Sequence, residues 1–303
     1  MAATSVSPAR KVASWPSSVP AAAFPCGGPL REATSEAGLR QHGQWNLVRQ
    51  GANVVFCSQA SNAKEGQAIQ RELQASGCPG DAFYQVCDVR SESNIKRLIS
   101  VTVERYGCLD CLVNNAGTSY FKPIEEMSTQ DFHDIMKINT VSCFLASKYA
   151  LPYLRETKGN IINIASIVGV FGKKDDVAYV SSQGAVIAMT KALAIDESKY
   201  DVRINSISPG HILTPLMERD VNQKPNPEAA MHKAIDLQLM GRLGAPEEVA
   251  LAALYLASDG TFCTGLNLLI SGGAEVGFGI KNQMDPEPEQ SGGGNSKGFS
   301  IKP

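Results

Sequence analysis

Long apolar runs are missing from this chain: none approaches the ~20 residues that cross a bilayer, so no membrane-spanning helix is expected. An excess of one charge is missing too. Lys and Arg total 28 against 30 Asp and Glu, a net charge of −2, which leaves no electrostatic footprint for nucleic acid or an acidic membrane. Histidine is scarce. His42, His133, His211 and His232 have no metal-ligand spacing, and only His211, just past Pro209-Gly210, falls beside a candidate cleft. One CxxC, Cys108-Leu-Asp-Cys111, stands without a second pair, so zinc is not expected. The eight cysteines mostly sit in apolar runs; they read as reduced core thiols of a cytoplasmic protein rather than a disulfide framework. Acidic residues are absent before Glu32, while prolines stand at 8, 16, 20, 25 and 29. Residues 1–33 therefore read as a disordered or replaced segment unable to form a periodic helix or a buried strand.

Between residue 34 and residue 280 short apolar runs alternate with helical patterns. Strands are expected at Asn53–Cys57, Ala82–Cys87, Cys108–Asn114, Asn160–Ala165, Val202–Ser208 and Asn267–Ile270. Helices are expected at Lys64–Ser76, Ser91–Tyr106, Thr129–Lys158, Ala178–Ser198 and Pro246–Ser258. Continuous apolar strands separated by helices imply an α/β fold, a Rossmann-type doubly wound parallel sheet in a single domain. Ligands of such sheets bind at the carboxyl ends of the strands. Residues 281–303, with Asp-Pro-Glu-Pro-Glu and a Gly run, read as a solvated tail.

Several strand ends carry chemistry. Asn114-Asn115-Ala116-Gly117 is a small-residue turn that lets backbone approach a ligand. Asn139 stands inside a helical pattern that asparagine disfavours. Ser166 closes a strand, and Tyr179 follows thirteen residues later on a helix. A serine hydroxyl there can bond a substrate oxygen while a tyrosine exchanges the proton that accompanies hydride transfer. Pro209-Gly210 and Thr214 open the loop after another strand.

Taken in order and spacing, Asp88-Val89, Asn114–Gly117, Asn139, Ser166, Tyr179, Pro209-Gly210 with Thr214, and Gly272-Gly273 resemble the classical short-chain dehydrogenase/reductase family over about Asn53 to Gly279. Within it, Met189-Thr-Lys-Ala-Leu-Ala and Phe262-Cys-Thr-Gly look closest to the 17β-hydroxysteroid dehydrogenases of type 14. The resemblance implies an NAD-dependent oxidoreductase, with NADP not excluded, acting on a lipophilic secondary alcohol such as a steroid. It further implies a cytoplasmic homotetramer. Tyr179 would be the acid/base, Ser166 would orient the substrate oxygen and Asn139 would hold a relay water. Asp88 and Val89 would contact adenine, and Asn115, Ala116, Gly117, Pro209, Gly210, Ile212 and Thr214 would line the cofactor cleft. The stretch from His211 to about Leu239 would be a loop that covers the substrate.

Three positions depart from the family pattern. Gln183 stands where a lysine holds the nicotinamide ribose and lowers the tyrosine's pKa. A neutral amide offers a hydrogen bond but no charge to stabilise phenolate. If the lysine lowers the phenol pKa by ~2–3, its loss costs on the order of 3–4 kcal/mol, a few hundred-fold in rate. The stretch Ala33–Arg40 retains only Gly38 of the glycine-rich turn, so the first strand and its phosphate-binding turn are expected to be degraded. Ser58-Gln59 supplies neither the acid that favours NAD nor an arginine that favours NADP. Two expectations follow: an active dehydrogenase, or a family member that keeps fold and oligomer without turnover.

Overall fold

The computed structural model describes residues 20–21, 47–119 and 121–277. Seven parallel strands form one sheet in the order β3-β2-β1-β4-β5-β6-β7. These are β1 (Pro20–Ala21), β2 (Asn53–Ser58), β3 (Ala82–Val86), β4 (Cys111–Asn114), β5 (Asn160–Ile164), β6 (Arg203–Pro209) and β7 (Asn267–Ile270). The helices are α1 (Ala63–Ala75), α2 (Glu92–Tyr106), α3 (Thr129–Met136), α4 (Ser142–Thr157), α5 (Val168–Phe171), α6 (Val177–Glu197), α7 (Pro215–Asn222), α8 (Pro227–Asp236) and α9 (Pro246–Ala257).

The strands read as continuous apolar runs because both faces are covered. Successive side chains point to opposite faces, so Val54 and Phe56 join one buried cluster while Val55 and Cys57 join the other. Ile69 and Leu73 of α1 and Val249 and Leu256 of α9 close the first face. Ile95, Leu98 and Ile99 of α2, with Ala146, Ala150 and Leu154 of α4, close the second. The alternating βα order thus gives the doubly wound sheet anticipated from sequence, in one domain.

Three expectations need correction. The segment 1–33 does contribute to the sheet: Pro20 and Ala21 occupy the central slot, paired with Asn53 and Val54 on one side and with Cys111 on the other. The stretch Ala33–Arg40, where the glycine-rich turn is expected, lies outside the described residues, as does the tail 281–303. Second, Thr129–Lys158 is helical almost throughout, as expected, but not uniformly α, since a π-helical turn over Lys137–Val141 lies between α3 and α4. Asn139 sits in that turn, where the widened backbone relieves the poor fit of asparagine in an α-helix. Third, the expected loop from His211 to Leu239 carries two helices. Thr214 accepts from the Met217 N–H at 3.2 Å and Asn226 from the Ala229 N–H at 3.0 Å, each followed by proline at the first helical position. Those are ordinary helix-start signals, and both are present in the sequence.

Among the described residues no disulfide joins the cysteines, of which Cys57, Cys87, Cys111 and Cys143 are buried and Cys78, Cys108 and Cys263 half-buried. Burial pushes Cys111 up to about 12, so the CxxC is a packing feature. Among the described residues no cluster of metal-ligating side chains exists, and no helix is long and apolar enough to cross a membrane.

Candidate active site

The carboxyl ends of β4, β5 and β6 open onto a cavity of about 190 Å³. It is lined by Asn115, Ala116 and Gly117 after β4, by Ser166 after β5, and by Tyr179 and Gln183 on α6. Pro209, Gly210, His211, Ile212 and Thr214 complete it from the end of β6 onward. Most of the expected cofactor and catalytic positions therefore meet at one place, although they are scattered from residue 115 to residue 214 of the chain.

Local packing explains how. Residue 210 has to be glycine, because a Cβ there would lie 2.9 Å from both the Gln238 amide oxygen and the Ser271 Cα. That contact is used: the same Gln238 oxygen accepts from the His211 N–H at 3.0 Å and pins the start of the loop. Gly169 plays the matching part behind Ser166. A Cβ on it would come within 2.8 Å of the Gln183 backbone, so α5 can press against α6 only because this position is bare. Ser166 is fixed by the β5–β6 end, where the Ile167 N–H donates to the Pro209 carbonyl at 3.1 Å.

Gln183 is 4% exposed, and its Oε1 is buried without a hydrogen-bond partner. An orphaned buried acceptor is costly, and this one belongs to a residue that lines the cavity. His211 is similar: its Nδ1 is buried and unpartnered. Burial, with Lys173 adding repulsion, pushes its pKa down to about 4, so the ring is neutral at physiological pH.

Asn139 is buried but braces the cavity from behind. Its Oδ1 accepts from the Thr118 N–H at 2.9 Å, and its Nδ2 donates to the Thr118 carbonyl at 3.0 Å and to the Ser182 hydroxyl at 2.9 Å. Ser182 donates onward to the Tyr179 carbonyl at 2.7 Å. The amide thus ties the loop after β4 to the turn of α6 that carries Tyr179. Ser182 and Thr118 were not anticipated from sequence, because neither belongs to a recognisable motif.

Asp88, Val89 and Asn114 stand apart from the cavity wall. The Asp88 carboxylate accepts from Arg90, with Nη2 at 2.6 Å, which holds it below the usual carboxylate range. Val89 packs in the core beside Ile95. Asn114, expected in the cleft, faces inward and donates to Asn163 Oδ1 at 2.8 Å. Ser58 is spent on Tyr84, hydroxyl to hydroxyl at 2.6 Å.

The chain is similar to known proteins in sequence and in fold. The family model described as enoyl-(acyl carrier protein) reductase matches residues 41–275. An L-fucose dehydrogenase of Bos taurus is 48% identical over 238 residues, covering 78% of this chain and 84% of the relative. That of Mus musculus is 46% identical with the same coverages. The relative named 3-oxoacyl-[acyl-carrier-protein] reductase of Thermotoga maritima is 31% identical, covering 76% and 94%. Among solved structures, levodione reductase superposes with a TM-score of 0.77 at 26% identity, covering 86% of this chain and 98% of that one. An actinorhodin polyketide ketoreductase with NADPH superposes with a TM-score of 0.76 at 27% identity, covering 86% and 99%. The high-identity relatives carry a sugar in their names, which replaces the steroid-dehydrogenase likeness expected from short strings. With the parallel sheet, the cavity and these matches together, the chain belongs to the short-chain dehydrogenase/reductase family.

Proposed function

We propose that this chain interconverts a secondary alcohol and a carbonyl, with Tyr179 exchanging the proton and Ser166 holding the substrate oxygen. The convergence of Ser166, Tyr179 and Gln183 on one cavity carries the reading. NAD or NADP, when bound, supplies the hydride acceptor and donor. The residues present suit such a group. Asn115–Gly117 offer a small-residue wall, Thr214 an alcohol, and Gln183 an unpartnered acceptor for a ribose hydroxyl. Asp88 and Val89 are the proposed adenine contacts, reached beyond the cavity. Ser58 leaves the end of β2 neutral, and NAD is proposed on the family's likeness.

Within the cavity the chain's own groups divide the work. The Ser166 hydroxyl donates to the substrate oxygen, and the Tyr179 hydroxyl takes or returns its proton. Gln183 offers the Tyr179 side a hydrogen bond but no positive charge that would stabilise a phenolate. The relatives' named sugar makes L-fucose the first alcohol to try; a lipophilic or steroid alcohol is the competing substrate class. Fully exposed Phe262 (104%), with Leu251 and Tyr255 of α9, provides an apolar face for the proposed homotetramer.

Titration with NADH and NADPH, followed by oxidation assays on L-fucose and on a 17β-hydroxysteroid, tests the reading. Binding of one cofactor at micromolar levels with measurable oxidation of either alcohol is expected. If neither cofactor binds below millimolar concentration, the enzyme reading falls and the non-catalytic family member stands.

A further inference from the structure

Beyond the catalytic pair, the cavity wall has a charged stretch that hydride transfer does not use. Lys173 and Asp220 line the cavity, together with Phe121. The Lys173 ammonium lies 3.9 Å from the Phe121 ring centroid, and the Lys224 ammonium lies 4.4 Å from the same centroid. Three separate elements bring these groups together: the loop after β4, the turn between α5 and α6, and the exit of α7.

Two carboxylates lie nearby. Asp176, whose side chain is fully buried and whose oxygens lack a hydrogen-bond partner, sits 3.7 Å from the Lys173 ammonium and is not part of the cavity wall. Asp220 accepts from the Ser119 hydroxyl at 3.0 Å and from Arg219 at 2.9 Å. Lys224 has no ion pair among the described residues. Three cations (Lys173, Arg219 and Lys224) thus face two carboxylates (Asp176 and Asp220), and the surplus positive charge falls beside Phe121. The neutral His211 adds none. Two ammonium groups gathered on one ring repel each other. Burial, against the opposing pull of Asp176 and Asp220 and with a smaller repulsion from Lys224, holds the Lys173 pKa below its ordinary value.

Resting on the dehydrogenase reading of the same cavity, we propose that Lys173 and Lys224 form an oxyanion subsite over Phe121, through which the cavity also takes, beside the neutral alcohols named above, a secondary alcohol bearing a carboxylate or phosphate. A ligand oxygen with full negative charge relieves the crowding of the ammoniums and makes charge-assisted hydrogen bonds to both. A neutral hydroxyl does only the second, and weakly. Lys173 would thereby be a specificity-determining residue, positioned by Asp176 from beneath.

Ligand-observed NMR titration of the full chain tests this without requiring turnover. The probes are matched pairs: 3-hydroxybutyrate against 1,3-butanediol for carboxylate, and glycerol 3-phosphate against glycerol for phosphate. At least one anionic member is expected to bind about tenfold or more tighter than its neutral partner. Lys224→Met should remove most of that preference and the double variant with Lys173→Met all of it, whereas Lys224→Arg should keep it. Retention in Lys224→Arg shows that loss in Lys224→Met is loss of charge rather than of fold. Equal affinities within both pairs, no binding of either anion, or a preference that survives the double substitution would overturn the proposal. A chain that binds the anions but oxidises nothing would instead sink the dehydrogenase reading and leave the subsite standing.

Discussion

On one side of the sheet β4, β5, β6 and β7 run in unbroken parallel register, Cys111–Asn114 against Asn160–Asn163 and Asn160–Ile164 against Arg203–Ile207. At its centre, β1 meets β2 through two residues and β4 through one. The first region holds the serine, the tyrosine and the cavity. The second is where this family's cofactor phosphates bind, at the turn after the first strand. Gln183 belongs to the first region, whereas the stretch Ala33–Arg40, which keeps only Gly38 of the family's glycines, precedes β2, so the two departures from the family pattern can each be tested alone.

The largest effect expected is at the tyrosine. Tyr179→Phe should cut kcat by about 10³-fold, the middle of the range for a general acid–base group, with cofactor affinity nearly unchanged; stopped-flow absorbance at the reduced nicotinamide band measures both. A loss under tenfold would mean that some other group moves the proton. Next comes Gln183→Lys, which restores charge beside the phenol. It should raise kcat a few hundred-fold, about 3–4 kcal/mol, and move the rising limb of the pH–rate profile for oxidation to lower pH. No gain would mean that the neutral amide at this position does not limit the rate.

Replacing residues 1–40 with the matching N-terminal segment of the bovine relative addresses that region directly. Cofactor Kd should fall at least tenfold, about 1.4 kcal/mol, because the glycine-rich turn absent from the sequence Ala33–Arg40 would present helix N-terminal amides to the pyrophosphate. An unchanged Kd would show that the missing glycines cost the cofactor nothing.

The smallest effect concerns Asp176. Burial raises its pKa to about 6 in the folded protein, against ~3.9 in the unfolded chain. The folded state therefore holds its proton more tightly. That favourable contribution is complete below pH ~4 and is lost as pH rises through about 6. Asp176→Asn should consequently melt a few °C higher than the parent at pH 8 and equally at pH 4, as differential scanning calorimetry would show. A lower melting temperature at pH 8 would mean that Asp176 is worth more as the partner of Lys173 than its burial costs.

How much could be read beforehand differs by residue. Ser166 and Tyr179 could be placed on a strand end and a helix from sequence, and both line the same cavity; their roles there are the proposal tested above. The positions of β2 to β7 were legible within a few residues, since apolar runs such as Asn160–Ile164 have no alternative to burial. Pro20–Ala21 was not. Proline lacks an N–H and argues against a central strand, and a two-residue strand has no period to detect. The π-turn at Asn139 was visible only as an oddity, because backbone widening is decided by what Asn139 reaches: Thr118 and Ser182. Asn114 was assigned to the cleft from its motif, but strand parity turned it inward to Asn163.

The sequence by itself determined the sheet's order of elements and the family chemistry, because hydrophobic period and motif spacing are properties of the chain. Only the tertiary structure decided which polar groups share a cavity and which are already satisfied. Lys173 and Lys224 are 51 residues apart, and whether their charges add or cancel depends on Phe121, Asp176 and Asp220. Electrostatic energy is set by distance and burial, and neither is written in the order of residues.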